Sequence, residues 1–172
     1  VVQGGQMKAE GAAMLDEKAP FAGLAHFAHD MTRVAVSSVA SEQNCRELEQ
    51  ALSRVTRAPV TFYWSESSRQ GLVNSYQNVR KMGADRWHGM VGAWSRYQGG
   101  LAVVDAGSAV TVDYVAESGA HIGGYILPGL RMMRRSLKLD AARIGFEHDD
   151  QINTLPGRST GECANHGLAW LT

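Results

Sequence analysis

"LAVVDAGSAVTVDYVAESGAHIGGYILPGL", residues 101–130, decides how this chain reads. Three short apolar runs, rich in β-branched and aromatic residues, are separated by glycine-containing breaks, which is the pattern of successive strands. "LAVVDAG" ends on an acid and a glycine, and "AVTVDYV" follows. "ESGA" is a turn in which Gly119 can take positive φ, and "HIGGYIL" is the third strand. Pro128 then suits the first position of a helix through "GLRMMRRSL". In open α/β sheets ligands gather at the carboxyl ends of strands, where "LAVV" delivers Asp105. Gly107 lets backbone approach a ligand closely, Ser108 adds a hydroxyl, and the N–H groups of such a turn form an anion-binding nest. A carboxylate beside that nest suits a cation rather than the phosphate itself. The same residues equally suit a tight hairpin turn with Asp105 capping backbone, and spacing alone leaves both readings open.

Upstream the pattern changes period. "RVAVSSVA" (33–40) reads as a short buried strand. Ser41 is placed as an N-cap with Glu42 at the positive end of the helix dipole. Cys45, Leu48, Leu52 and Val55 recur at helical spacing, giving an amphipathic helix over 42–55. Pro59 separates it from the strand "VTFYW" (60–64). This β-α-β order predicts a partly parallel sheet with packed helices, hence an α/β fold. Residues 65–83 are polar and glycine-punctuated and read as a long surface connection. Helical spacing returns over 84–97 through Trp87, Met90, Val91 and Trp94, and "QGG" (98–100) marks a boundary. Residues 139–156 read as loop, and Ser159 or Thr160 starts a last helix through Ala164 and Leu168. Residues 1–30 are weakly patterned.

A second candidate for chemistry is "GADRW" (83–87). Asp85 falls where a loop enters a helix, so it suits an N-cap. It equally suits a general base that takes a proton from a substrate hydroxyl, with Arg86 either a cationic clamp or an ordinary ion-pair partner. Tyr76, in the preceding connection, either touches substrate or packs. A third candidate is "GGYILPG" (123–129). Its paired glycines signal a bulge or a close backbone approach. Its Pro-Gly opens a helix that either faces phosphate or meets a packing requirement. The six histidines carry no metal spacing, and His26 and His29 read as surface residues. "RMMRRS" (131–136) reads as a solvated basic face with Met132 and Met133 inward. No G-x-x-x-x-G-K-[ST] sequence occurs, so this is not a P-loop protein.

Bulk properties bound the function. The chain has 172 residues, 17 basic and 17 acidic side chains, and 44% apolar residues, an ordinary globular composition long enough for a real core. Zero net charge gives no general attraction to nucleic acid or to an anionic membrane. No apolar run approaches the roughly 18 residues of a membrane span. Cys45 and Cys163 lie far apart and outside any metal spacing, which fits reduced thiols in the cytoplasm. The chain opens at Val1 without an initiator Met and closes within a helical pattern, so a fragment truncated at both ends is expected.

Together, "GLVNSYQNVRKMGADRW", the 101–130 stretch with its continuation "RMMRRSL", and "GRSTGECANHG" resemble the type III pantothenate kinases, a family that includes the Bvg accessory factor proteins. The resemblance covers roughly residues 70–170. It implies an acetate kinase, Hsc70 and actin type of fold, two ribonuclease-H-like lobes with ATP in the cleft. Residues 1–98 would then form an N-terminal lobe and 99–172 the start of a C-terminal lobe, both incomplete. The implied activity is ATP-dependent phosphorylation of the 4′-hydroxyl of pantothenate, the first step of coenzyme A synthesis. A homodimer is implied, with a monovalent cation (potassium or ammonium) and magnesium alongside ATP. By the same resemblance Asp85 is the proton acceptor, and Tyr76, Gly83, Ala84, Asp85, Arg86 and Thr160 contact pantothenate. Ser108, with Gly107, contacts ATP, and Asp105 binds potassium.

Three departures stand out. Ser108 replaces the family's usual Thr but keeps a hydroxyl. Val79 stands where Pro is usual in the substrate loop. The family's first phosphate loop, Asp-x-Gly-Asn-Thr/Ser, is not in this sequence, so reduced or absent turnover is expected of these 172 residues alone. Two other readings stay open: a non-catalytic or regulatory homologue of the same fold, and a kinase for another small alcohol.

Overall fold

The computed structural model describes residues 1–97, 99–140, 146–147 and 153–171. The chain is α/β. Its strands are β1 (Val2–Gln3), β2 (Gln6–Met7), β3 (Val34–Ser37), β4 (Val60–Tyr63), β5 (Ser68–Arg69), β6 (Leu72–Val73), β7 (Leu101–Ala106), β8 (Ala109–Val115) and β9 (His121–Pro128). Its helices are α1 (Glu42–Ser53), α2 (Ala84–Arg96), α3 (Leu130–Asp140) and α4 (Thr160–Trp170). Two compact units result, Val1–Glu66 with Asn78–His88, and Ser67–Gln77 with Gly89–Thr172.

In the first unit β3 and β4 pair in parallel, Val34 with Val60 through Ser37 with Tyr63, and α1 is the crossover. This is the β-α-β unit that the sequence predicts. The Ser41 hydroxyl caps α1 by accepting from the Asn44 N–H at 3.3 Å. Leu52 is buried, while Cys45, Leu48 and Val55 on the same stripe are half-buried. Ahead of this unit the weakly patterned N-terminus forms a small hairpin, β1 with β2, turned by Gly4 and Gly5 at φ +58° and +76°. Two residues at positive φ are the requirement of a tight primed turn, which a Gly-Gly pair meets without steric cost.

In the second unit β7, β8 and β9 form an antiparallel meander. The turn between β7 and β8 is the pair Gly107–Ser108, so the loop that follows Asp105 joins antiparallel strands. Asp105 lies inside the ladder, opposite Thr111. The paired glycines of β9 mark a bulge, as the sequence suggests. The β8–β9 register shifts at Tyr114/Val115, and Gly123 sits at φ +140°. Trp94 and Met90 of α2 are buried, and Gly89 lies against Val103 of β7.

Several predictions need correction. The connection 65–83 is not plain loop: it holds the hairpin β5–β6, turned by Gln70 and Gly71 at φ +51° and +85°, and a short 3₁₀ helix at Val79–Lys81. Leu72 within it is fully buried. Pro128 ends β9, paired with Ala109, rather than starting α3. Met132 points outward, because the inward stripe of α3 is Leu130, Met133, Arg134 and Leu137, at i, i+3, i+4 and i+7. Helix α3 also takes in Leu139 and Asp140, whereas most of the loop predicted over 139–156, like Gln98, lies outside the described residues. Helix α4 starts as predicted, with the Ser159 hydroxyl accepting from the Glu162 N–H at 3.2 Å. His26 and His29 are exposed.

Candidate functional site

The "GADR" turn stands at the carboxyl ends of the parallel pair in the first unit. Its entry is fixed by Ser65, just past β4, whose buried hydroxyl donates to the Met82 carbonyl at 2.9 Å. Its exit is fixed by His88, whose Nδ1 pairs with the Ser37 hydroxyl at the end of β3, 2.8 Å away. Trp87 between them is fully buried and anchors the helix start. Ala84 is buried as well and is the first residue of α2. Asp85 is therefore in the first helical turn, not at the N-cap. Its Oδ1 accepts from the Arg86 N–H at 2.8 Å, which satisfies one of the donors left open at a helix start. The carboxylate is otherwise exposed and keeps lone pairs for a further proton. Gly83 completes the arrangement. A Cβ there would come within 2.5 Å of Asp85 Oδ1, so only glycine leaves the carboxylate where it is. The Arg86 side chain is buried and already partnered within the chain.

In the second unit, Asp105 stands near the end of β7 and Ser108 in the β7–β8 turn, and both are exposed. Neither side chain has a hydrogen-bond or ion-pair partner among the described residues, so Asp105 is not a backbone cap. Gly107 donates its N–H to the Ala109 carbonyl at 2.9 Å. Gly129 rests on this turn. Its N–H donates to the Ser108 carbonyl at 3.0 Å, and a Cβ on it would meet the Gly107 and Ser108 carbonyl oxygens at 2.5 and 2.6 Å. Of the two roles open to Pro128-Gly129, Gly129 has the packing role, since its N–H is taken.

Tyr76 follows β6 in the second unit. It is half-buried, its N–H donates to Asn74 Oδ1 at 2.9 Å, and its ring stacks on that of His121 with centroids 6.2 Å apart. Thr160 begins α4, exposed, at a cavity of 510 Å³ with Leu137, Cys163, Leu168 and Trp170 on its walls and no other candidate residue. A cleft of 640 Å³ in the first unit, between the N-terminal hairpin and β3, contains none of the candidates. Gly83, Ala84, Asp85 and Arg86 are thus held together in one unit, and Asp105, Gly107 and Ser108 together in the other.

The sequence reading passed over a buried polar cluster. His121 Nε2 lies 3.0 Å from Asp113 Oδ1, and His121 Nδ1 lies 2.9 Å from the Ser75 hydroxyl. Asp113 and His121 are 1% and 3% exposed. The available signal was the acid in the middle of "AVTVDYV", a charge where strand alternation demands an inward residue. No group of three or more His, Cys, Asp or Glu residues able to hold a metal occurs among the described residues. No described helix is long and apolar enough to cross a membrane.

Residues 4–172 match the family model for type III pantothenate kinase. The chain is 58% identical over 163 residues to a type III pantothenate kinase of Marinobacter nauticus, covering 95% of this chain and 67% of that one. It is 38% identical over 141 residues to that of Hahella chejuensis, covering 81% and 58%. A solved Baf family structure from Campylobacter jejuni is similar at 21% identity and a TM-score of 0.48, over 80% of this chain and 58% of that one. The chain spans about half to two thirds of the length of the curated relatives it matches.

Proposed function

The chain belongs to the type III pantothenate kinase family, and from that premise we propose that it phosphorylates the 4′-hydroxyl of pantothenate with ATP, the first step of coenzyme A synthesis. The observation that carries the reading is Asp85, an exposed carboxylate fixed by its own helix start and by the space Gly83 leaves. Asp85 takes the hydroxyl proton while the alcohol oxygen attacks the γ-phosphorus and ADP leaves. A positioned carboxylate base contributes a factor of about 10²–10⁴. Most of the remaining work in phosphoryl transfer is alignment and charge neutralisation. Gly83, Ala84, Asp85, Arg86, Tyr76 and Thr160 are the proposed pantothenate contacts, and Ser108 with Gly107 the ATP contacts.

Asp105 suits a monovalent cation, because it is a hard oxygen donor, exposed, and has no partner among the described residues. Magnesium would be held chiefly by the nucleotide phosphates, since no multi-ligand cluster occurs among the described residues. When bound, these ions neutralise phosphate charge. Family membership further supports two ribonuclease-H-like lobes, at 1–98 and 99–172, a homodimer and a cytoplasmic enzyme. The free thiols Cys45 and Cys163 fit that compartment.

The test is ATP-dependent phosphorylation of pantothenate by the full-length protein, with and without potassium. The expected result is potassium-stimulated formation of 4′-phosphopantothenate. A folded protein that phosphorylates another alcohol but not pantothenate, or none at all, overturns the reading.

A further inference from the structure

We propose that the β8–β9 turn is the positioning device of the substrate loop, with His121, fixed by Asp113 and Ser75, setting the place of Tyr76. The inference rests on the reading of Tyr76 as a pantothenate contact and names what holds it there.

Residues 70–76 are tied to this turn along their length. Trp94 Nε1 donates to the Gln70 carbonyl at 3.0 Å. Gly119 at φ +83° packs so closely that a Cβ on it would run into the Gly71 carbonyl and the Trp94 ring. The Val73 N–H donates to the Gly119 carbonyl at 2.9 Å, and Val73 bridges Ala120 in parallel. The Ser75 hydroxyl then meets His121 Nδ1, and the Tyr76 ring stacks on the same imidazole. Two consecutive loop residues are thus fixed by one side chain.

That side chain is itself fixed. The β9 bulge leaves Ile122 exposed and pairs His121 with Val115, which turns the imidazole inward onto Asp113. Burying a carboxylate costs free energy unless it is hydrogen-bonded, and here the imidazole supplies a bond. Both ring nitrogens are engaged, Nε2 by the Asp113 carboxyl group and Nδ1 by the Ser75 hydroxyl, and the two contacts together fix the plane of the ring. The order Ser–His–Asp is that of an oriented imidazole with its third group behind it. Here its output is the placement of Tyr76, and His121 is a positioning residue.

Three variants of the full-length protein test this: Ser75→Ala, His121→Asn and Tyr76→Ala. Ser75 is exposed, so Ser75→Ala removes the tether without disturbing the buried pair. One hydrogen bond of this kind is worth about a three- to tenfold change. The KM for pantothenate is expected to rise by that factor in Ser75→Ala. His121→Asn keeps an acceptor for Ser75 but removes the ring under Tyr76, and should raise the same KM further. In both, kcat should stay within about twofold and the KM for ATP should not move. A purely structural role would instead lower Tm without a selective change in pantothenate KM. If Tyr76→Ala raises that KM while folded Ser75→Ala and His121→Asn leave it unchanged, the positioning role is wrong and the site reading stands. If Tyr76→Ala itself leaves it unchanged, the reading of Tyr76 falls and this inference falls with it.

Discussion

The GADR turn and the Gly107–Ser108 turn each present a carboxylate, in opposite ways. Asp85 is gripped: its Oδ1 holds the next N–H, Gly83 makes room for it, and Ser65 and His88 fix the helix start on both sides. Asp105 is exposed on an antiparallel ladder with no side-chain partner among the described residues. The difference suits different work. Proton transfer requires a group held at hydrogen-bond distance from the reacting atom, about 2.6–3.2 Å, with its aim fixed. Holding a weakly bound, hydrated cation requires charge and access rather than rigid aim. Asp85 stands in the first turn of α2 and Asp105 near the end of β7, so local sequence marks both only as acids at the edge of an element; their surroundings separate them.

The sharpest way to break this comparison is Asp85→Asn. It should lower kcat by about 10²–10⁴ and leave Tm unchanged, as read by steady-state kinetics beside calorimetry. Full turnover in that variant would remove the base from the scheme. Gly83→Ala comes next. The added methyl must displace the carboxylate, and misplacement of about an ångström costs roughly 10²-fold in kcat. In an Asp85→Asn background the same change should add little, and a full additional loss would show that Gly83 acts elsewhere. Asp105→Asn should be milder. It removes one charge-assisted contact, so the potassium concentration giving half-maximal rate should rise roughly tenfold, with kcat at saturating potassium nearly restored. An unchanged potassium response would take the cation away from Asp105. The smallest effect belongs to Ser65→Ala, which deprives the Met82 carbonyl of a buried donor. A loss of about 1 kcal/mol in unfolding free energy is expected, seen in denaturant melts.

Much of this was legible in the chain. Ser41 before a 3.6-residue stripe gave α1 and its cap, and Pro59 before a β-branched run gave β4. The glycine pair of β9 announced its bulge. The GADR candidates were legible too, because a loop entering an amphipathic helix fixes where its first acid falls. The hairpin β5–β6 was not, since strands of two residues are too short to show a period and its buried Leu72 is surrounded by polar neighbours. The Gln-Gly pair at its turn was the one usable signal. Met132 was misplaced because a basic, methionine-rich helix face has no clear phase until a neighbour covers it.

The sequence by itself determined the helices and the longer strands, their approximate ends, the α/β class and the residues that carry the family resemblance. These follow from short-range rules of periodicity, capping and turn chemistry, each confined to a few consecutive residues. Tertiary structure alone decided that Gly129 packs on the Gly107–Ser108 turn, that Gly83 makes room for Asp85 between Ser65 and His88, and that Asp113, His121 and Ser75 join beneath Tyr76. Ser75 and His121 are 46 residues apart. No local period links such positions. They meet because a bulge turns one side chain inward, and because buried polar groups must find partners wherever the fold supplies them.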